Sequence, residues 1–251
     1  MRRSATRLLF ITGTDTGVGK TLLTGLLLAH SRQSGFRSLA LKPFCSGDRS
    51  DARLLHQLQD RDLALDDINP FHFAQPLAPL AAARKHPSGI RPSDVLRHIR
   101  FVRETLASRS AALPAPRSAT HVPHALPPPT LLLEGIGGLL VPLAERFNVL
   151  DLIVRLRCEV LVVALNRLGT INHTLLTLQA LRNARVRCTS IVLMNTRFPD
   201  ASCASNPGLL KKLIVPVPLL QLPFLRPAPT TPKQIRAHAA CLAPALHKLL
   251  S

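Results

Sequence analysis

Two lysines and three oxygen-bearing side chains stand out in this sequence for what they could do to a polyphosphate. Lys20 lies near the end of the run Gly13-Thr14-Asp15-Thr16-Gly17-Val18-Gly19-Lys20-Thr21, and Lys42 closes an apolar segment farther on. A glycine-rich turn between an apolar run and a helix aims backbone N–H groups at an anion, and the helix N-terminus adds positive potential. A lysine there brings a mobile cation to terminal phosphates, and the Thr21 hydroxyl can face a magnesium ion. The run predicts a bound nucleoside triphosphate with its γ-phosphate at Lys20. The nucleotide-binding residues would be Asp15, Thr16, Gly17, Val18, Gly19, Lys20 and Thr21. Five residues, Thr14 to Val18, separate Gly13 from Gly19. The loop is thus one residue longer than the usual phosphate loop, which has four.

The remaining candidates need the loop as context. Lys42 alone reads as a solvated strand end, but beside a phosphate loop it would share the polyphosphate with Lys20. Asp51 alone reads as an N-cap. Glu134 ends an apolar run and precedes Gly135-Ile136-Gly137-Gly138. A carboxylate at a strand terminus can hold magnesium or its water shell, so Thr21, Asp51 and Glu134 together offer a hard oxygen environment for Mg²⁺ bound to ATP. The glycines after Glu134 would let backbone approach a substrate closely. Asn172 and His173 read as caps or as polar groups behind the site. His173 has no recognisable partner for work as a general base.

Positioning these residues requires strands that end on one side of a sheet. Apolar runs bounded by Gly, Pro or polar residues read as buried parallel strands at 7–12, 38–42, 130–134, 160–165 and 190–195, with a last one at 213–217. Helical patterns lie between and after them, at 20–34, 51–59, 92–107, 171–184 and 232–249. This alternation predicts one α/β domain over 1–251, a mostly parallel sheet with helices on both faces and ligands at the C-terminal strand ends. The stretch 108–129 interrupts the pattern with Pro114, Pro116, Pro123, Pro127, Pro128 and Pro129, and reads as a surface excursion or linker.

The totals narrow the class. The chain has 251 residues, 46% of them apolar, with no Trp or Tyr, so aliphatic side chains must fill the core almost alone. Lys and Arg outnumber Asp and Glu 32 to 14, a formal charge of +18. The basic residues are scattered and lack interleaved aromatics, which favours a solvated arginine-rich surface over a specific nucleic-acid platform. Five cysteines without metal-type spacing read as reduced thiols of a cytoplasmic protein. No segment has the make-up of a signal peptide or a membrane span.

The ordered motifs resemble a known family. Gly13 to Thr21, Lys42-Pro43 with Ser46-Gly47, Asp51, Asn69-Pro70 through Pro76, Glu134 to Gly138 with Pro142, and Leu168-Gly169-Thr170-Ile171-Asn172-His173-Thr174 are similar to the successive motifs of the dethiobiotin synthetases. The longer phosphate loop is that family's form. The resemblance covers about residues 8–196. It implies a P-loop fold and an ATP-dependent cyclo-ligase of biotin synthesis. Its substrates are 7,8-diaminopelargonic acid, CO₂ and MgATP, and it works through a carbamate and a carbamic–phosphoric anhydride. It further implies catalytic roles for Lys20 and Lys42, and metal ligation by Thr21, Asp51 and Glu134. Adenine would be recognised at Asn195. Substrate would be bound by Thr16, Ser46, Gly135, Ile136 and Gly137, and by Leu168, Gly169 and Asn172 from the partner subunit of a homodimer.

Two other readings use the same residues. A partitioning-type ATPase would carry an extra lysine early in its loop, where this chain has none before Lys20. A basic nucleic-acid-binding protein with a decayed nucleotide site would have lost Lys20, Asp51 or Glu134, and all three are present.

Overall fold

A computed structural model describes residues 6–83, 89–112 and 128–250. The chain runs β1 (Arg7–Gly13), α1 (Lys20–Gln33), β2 (Ser38–Leu41), β3 (Phe44–Ser46), α2 (Ser50–Leu58), α3 (Leu65–Ile68), β4 (Phe71–Phe73), α4 (Pro79–Ala83) and α5 (Pro92–Ala112). It continues with β5 (Thr130–Glu134), β6 (Pro142–Ala144), β7 (Phe147–Asn148), α6 (Val149–Leu156), β8 (Glu159–Leu165), α7 (Thr170–Asn183) and β9 (Cys188–Met194). A short 3₁₀ turn at Ala201–Ala204 leads to α8 (Asn206–Leu213), β10 (Leu219–Leu222), α9 (Pro232–Cys241) and α10 (Ala243–Leu250).

Six strands form one parallel sheet in the order β10-β9-β8-β1-β5-β2. Its central strands are apolar without alternation because both faces are covered. Leu9, Ile11, Leu131 to Leu133 and Val160 to Val163 are fully buried. Helix α1 is apolar around most of its circumference for the same reason. It touches β1, β2 and β5 on one side and α2, α9 and α10 on the other. Two helix starts are fixed by reciprocal side-chain bonds. Asn148 and Asp151 cap α6, while Thr231 and Gln234 cap α9 with Pro232 in its first turn.

At the end of the sheet away from the strand C-termini, Glu159 accepts from Arg7 Nε and Arg187 Nη1, each at 2.9 Å. Those two ion pairs tie β1 and β8 to Arg187, the residue just before β9.

The structure corrects three expectations. The last strand is Leu219–Leu222, not 213–217. Pro216 and Pro218 lack the N–H groups a ladder needs, whereas the stretch between Pro218 and Pro223 pairs with Ile191 to Met194. The pattern at 232–249 is two helices, divided at Leu242, because Pro244 cannot donate to the preceding turn. Helix α5 runs on to Ala112, so the first part of the 108–129 stretch is helical. Residues 113–127 of that stretch lie outside the described residues. Among the described residues, no helix is long and apolar enough to cross a membrane.

Candidate active site

The C-terminal ends of β1, β2 and β5 open into a cleft of about 650 Å³. Its walls include Thr16, Lys20, Thr21, Lys42, Asp51 and Glu134. The turn after β1 is shaped by its glycines. Gly19 ends it with φ +101°, a left-handed conformation in which L side chains are strained. A side chain at Gly13 would meet Val18 at 2.8 Å and the Asp15 carbonyl at 2.9 Å. The turn therefore closes tightly, and Lys20 begins α1 with its side chain folded back over the loop.

Lys20 is buried, and its Nζ donates to the Asp15 carbonyl at 2.8 Å. Burial pushes its ammonium down to about 8, opposed by Glu134 and reinforced by Lys42. The Lys42 charge reaches Lys20, and both side chains line the one cleft. Asp15 bends the entrance of the loop, its Oδ1 accepting from Thr16 N at 2.7 Å and its Oδ2 lying 3.4 Å from Arg167 Nη2.

Lys42 sits just beyond β2, 6% exposed. Its ammonium donates to Glu134 Oε1 and, at 2.8 Å, to Asp51 Oδ2. Burial disfavours the charge, but the Glu134 and Asp51 carboxylates outweigh burial and hold the ammonium above its ordinary range. Glu134 Oε1 also accepts from Thr21 Oγ1 at 2.6 Å. Thr21, Lys42, Asp51 and Glu134 thus form one connected cluster drawn from α1, β2, α2 and β5. Asp51 lies in the first turn of α2, two residues past the N-cap position, which Arg49 occupies, so it does not cap the helix. Asn69 holds the strand end that carries Lys42, its Nδ2 donating to the Lys42 carbonyl at 2.9 Å.

Glu134 Oε2 and Ser46 Oγ are buried and without a hydrogen-bond partner among the described residues. An unsatisfied buried carboxylate oxygen is costly unless something fills its coordination. Together with the nearby Asp51 and Thr21 oxygens, this is a donor set suited to a hard divalent cation. Cys45 also lines the cleft. Burial pushes its thiol up to about 11, so it stays protonated at neutral pH and is a poor nucleophile.

The loop after β5 splits in its relation to the cleft. Ile136 and Gly137 line it, with Thr16 Oγ1 only 3.5 Å from where a Cβ on Gly137 would stand. Gly135 lies beneath, its N–H donating to the Ile11 carbonyl at 2.9 Å. Leu168, Gly169 and Asn172 sit outside this cleft. Gly169 precedes α7, and Leu168 is 80% exposed with its N–H donating to Asp200 at 2.9 Å. Asn195 follows β9, directly after Met194, which packs within 3.2 Å of the Cβ position on Gly19. The end of β9 therefore borders the phosphate loop. Asn166, Asn206 and Gln221 join Asn195 there. Asn206 and Gln221 were missed by sequence reasoning; a single amide carries no spacing or charge signal, and Asn206 before Pro207 reads only as a helix start.

The family model described as an AAA domain matches residues 7–228. An ATP-dependent dethiobiotin synthetase BioD from Anaeromyxobacter sp. (strain Fw109-5) is 37% identical over 92% of this chain and 96% of its own. The protein of the same name from Bacillus velezensis is 32% identical over 85% of this chain and 84% of its own. That from Methanocaldococcus jannaschii is 33% identical over 74% and 78%. Among solved structures, the septum site-determining protein MinD of Pyrococcus horikoshii superposes with a TM-score of 0.54 at 17% identity, covering 98% of this chain and 94% of that one. A ParA family ATPase from Chlorobium tepidum gives 0.50 at 13% identity, covering 94% and 98%. At that identity the two structures share the fold and nothing finer, a P-loop α/β domain. Similarity to the synthetases over nearly the full length of both chains is of another order, and the chain belongs to the ATP-dependent dethiobiotin synthetase family.

Proposed function

We propose that the chain closes the ureido ring of dethiobiotin from 7,8-diaminopelargonic acid and CO₂, with ATP as phosphoryl donor. The observation that carries this reading is the convergence of Lys20 and Lys42 on one cleft beside Glu134. One substrate amine adds to CO₂ and loses a proton, giving a carbamate. A carbamate oxygen attacks the γ-phosphorus, the bond to the bridging oxygen breaks, and ADP departs. The second amine then attacks the carbamoyl carbon of the mixed anhydride. The carbon–oxygen bond to phosphate breaks, a proton is lost, and the ring closes.

Such a sequence needs positioning and charge neutralisation and no covalent nucleophile from the protein. Lys20 would meet the charge on the γ-phosphoryl oxygens, and Lys42 the carbamate and the oxygen it transfers through. Thr16 and the unpartnered Ser46 hydroxyl would orient the carbamate. Asp15 to Thr21 would cradle the triphosphate, and Asn195 would meet the base. The backbone at Gly135, Ile136 and Gly137 would lie along the diamine. Thr21, Asp51 and Glu134 would hold Mg²⁺, which supplies charge neutralisation on the phosphates when bound.

The decisive experiment incubates the chain with the diamine, bicarbonate and MgATP and reads products by mass. Dethiobiotin formed in step with ADP is expected. ADP release without dethiobiotin, or release stimulated by DNA in place of the diamine, would overturn the assignment.

Leu168, Gly169 and Asn172 would hold the far carboxylate of a substrate bound to a second copy, in a homodimer. Mixing Lys42→Ala with Asn172→Ala subunits should then restore activity, because one of the two sites in a mixed dimer keeps both groups. Failure in verified mixed dimers would argue for a self-contained site.

A further inference from the structure

Strand β2 leads directly into Lys42 and lies at the edge of the sheet, bonded to β5 alone. An edge strand leaves the N–H and C=O of every second residue without a neighbouring strand. Here those groups belong to Ala40 and Lys42, and buried side-chain amides stand in for the missing ladder. Gln59, the C-cap residue of α2, accepts from Ala40 N at 3.1 Å and donates to the Ala40 carbonyl at 3.2 Å. The Lys42 N–H donates to the Ile68 carbonyl at 3.0 Å. The Lys42 and Pro43 carbonyls accept from Asn69 Nδ2 at 2.9 and 3.3 Å. Both amide side chains belong to buried residues.

Asn69 differs from Gln59 in having a second attachment. A carbonyl only accepts and a guanidinium only donates, so the Asn69 amide has one orientation, NH₂ toward the carbonyls and oxygen toward the arginine. Asn69 Oδ1 accepts from Arg49 Nε at 3.0 Å. Arg49 Nη2 reaches the Asn69 carbonyl at 3.1 Å, the Leu65 carbonyl at 3.3 Å and Asp66 Oδ1 at 2.8 Å. Arg49 is the N-cap residue of α2, two positions before Asp51. The bonds from the Lys42 carbonyl through Asn69 to Arg49 therefore join the strand end that carries the ammonium to the helix start that carries its carboxylate partner, 2.8 Å from it. Neither Arg49 nor Asn69 lines the cleft.

We propose that Arg49 and Asn69 are positioning residues for the reaction: together they set Lys42 against Asp51, and through that spacing turnover, without touching a ligand. This rests on the reading of Lys42 as a catalytic residue. A strand held on one side only is free to shift at its end, and a shift there moves the ammonium away from the oxygens it must serve.

The test measures dethiobiotin formation and thermal stability side by side. Asn69→Asp keeps the acceptor for Arg49 but sets an oxygen against the Lys42 and Pro43 carbonyls. It should lower kcat about tenfold or more, as misplacing a catalytic group does. KM for ATP should not change, because the phosphate loop hangs from β1 and α1. Gln59→Ala removes two bonds to the same strand, two residues before Lys42, and is the structural control. It should lower the melting temperature at least as much and leave kcat at the wild-type level. Equal kcat losses in the two variants would make Asn69 a mere fastener of β2 and overturn the proposal, as would wild-type kcat in Asn69→Asp. Arg49→Met should lower kcat in the same way, and adding it to Asn69→Asp should cost little more, since both act through one connection. Additive losses overturn the shared role. The placement is also readable without catalysis. In a crystal structure of Asn69→Asp, or of Arg49→Met should the first fail to fold, Lys42 should have left its place beside Asp51. An unmoved Lys42 overturns the proposal whether or not the wild-type chain makes dethiobiotin. A displaced Lys42, with a wild-type chain that makes none, would sink the reaction assigned above and uphold the positioning role.

Discussion

Two side-chain clusters beyond the C-terminal strand ends are assembled from opposite kinds of chemistry. Around Lys42 the partners are ionised: a buried ammonium held between Glu134 and Asp51, with a second ammonium, Lys20, within its field. Around Asn195 they are neutral amides, each bonded to the next in a fixed direction. Ionised groups act over distance and stabilise charge that grows during a reaction, but they do not distinguish one shape from another. Neutral amides stabilise little developing charge, yet an oriented donor separates ligands that differ by a single atom.

That contrast can be broken at its strongest point. Lys42→Ala and Lys20→Ala should each lower dethiobiotin formation by about 10²–10³ or more, the usual consequence of removing a group that stabilises developing charge. Steady-state turnover near the wild-type rate in either variant would erase the distinction. Next in size is stability. Lys42→Met leaves the 1%-exposed Glu134 without its buried cation and should cost about 3–5 kcal/mol in urea unfolding. Adding Glu134→Gln should recover part of that loss, because the orphaned charge is then gone. Asn206→Ala removes amide bonds from a neutral network and should cost less, about 1–3 kcal/mol, with little dependence on salt. Equal losses, or a strong salt effect at Asn206, would blur the two clusters together.

The smallest effect sharpens the comparison through pH. Burial lowers the Lys20 ammonium to about 8 in the free site. Below that pH the cation is present and triphosphate affinity should be level. Above it Lys20 is neutral in the free site, binding must take up a proton, and affinity should weaken as pH rises. Calorimetric titration with a nonhydrolysable triphosphate would show this slope, and Lys20→Ala should flatten it.

How much of this could be read from residue order follows the same division. The phosphate loop was legible because glycine, lysine and threonine must stand at fixed offsets there. Lys42 and Glu134 were legible as charged residues closing apolar runs, a place where burial is otherwise avoided. Asn206 and Gln221 were not, since an amide becomes informative only when its neighbours are known. Leu213 to Val217 misled for a local reason: the segment is apolar and β-branched, but Pro216 within it and Pro218 just after it remove ladder donors, and the pairing moves to Leu219–Leu222. The break at Leu242 was hidden because Pro244 suits the first turn of a helix as well as it ends the preceding one. Gly135 shows a further limit. Its neighbours line the cleft, but its own N–H extends the ladder to Ile11.

Strand β1 lies between β5 and β8 and is hydrogen-bonded to both. The loop that follows it and the carboxylate that ends β5 consequently belong to a single stiff lattice, with no hinge separating them. Ligand entry must be accommodated by rotating side chains and shifting loops at the rim, and the protein's hydrodynamic size should barely change when the site fills.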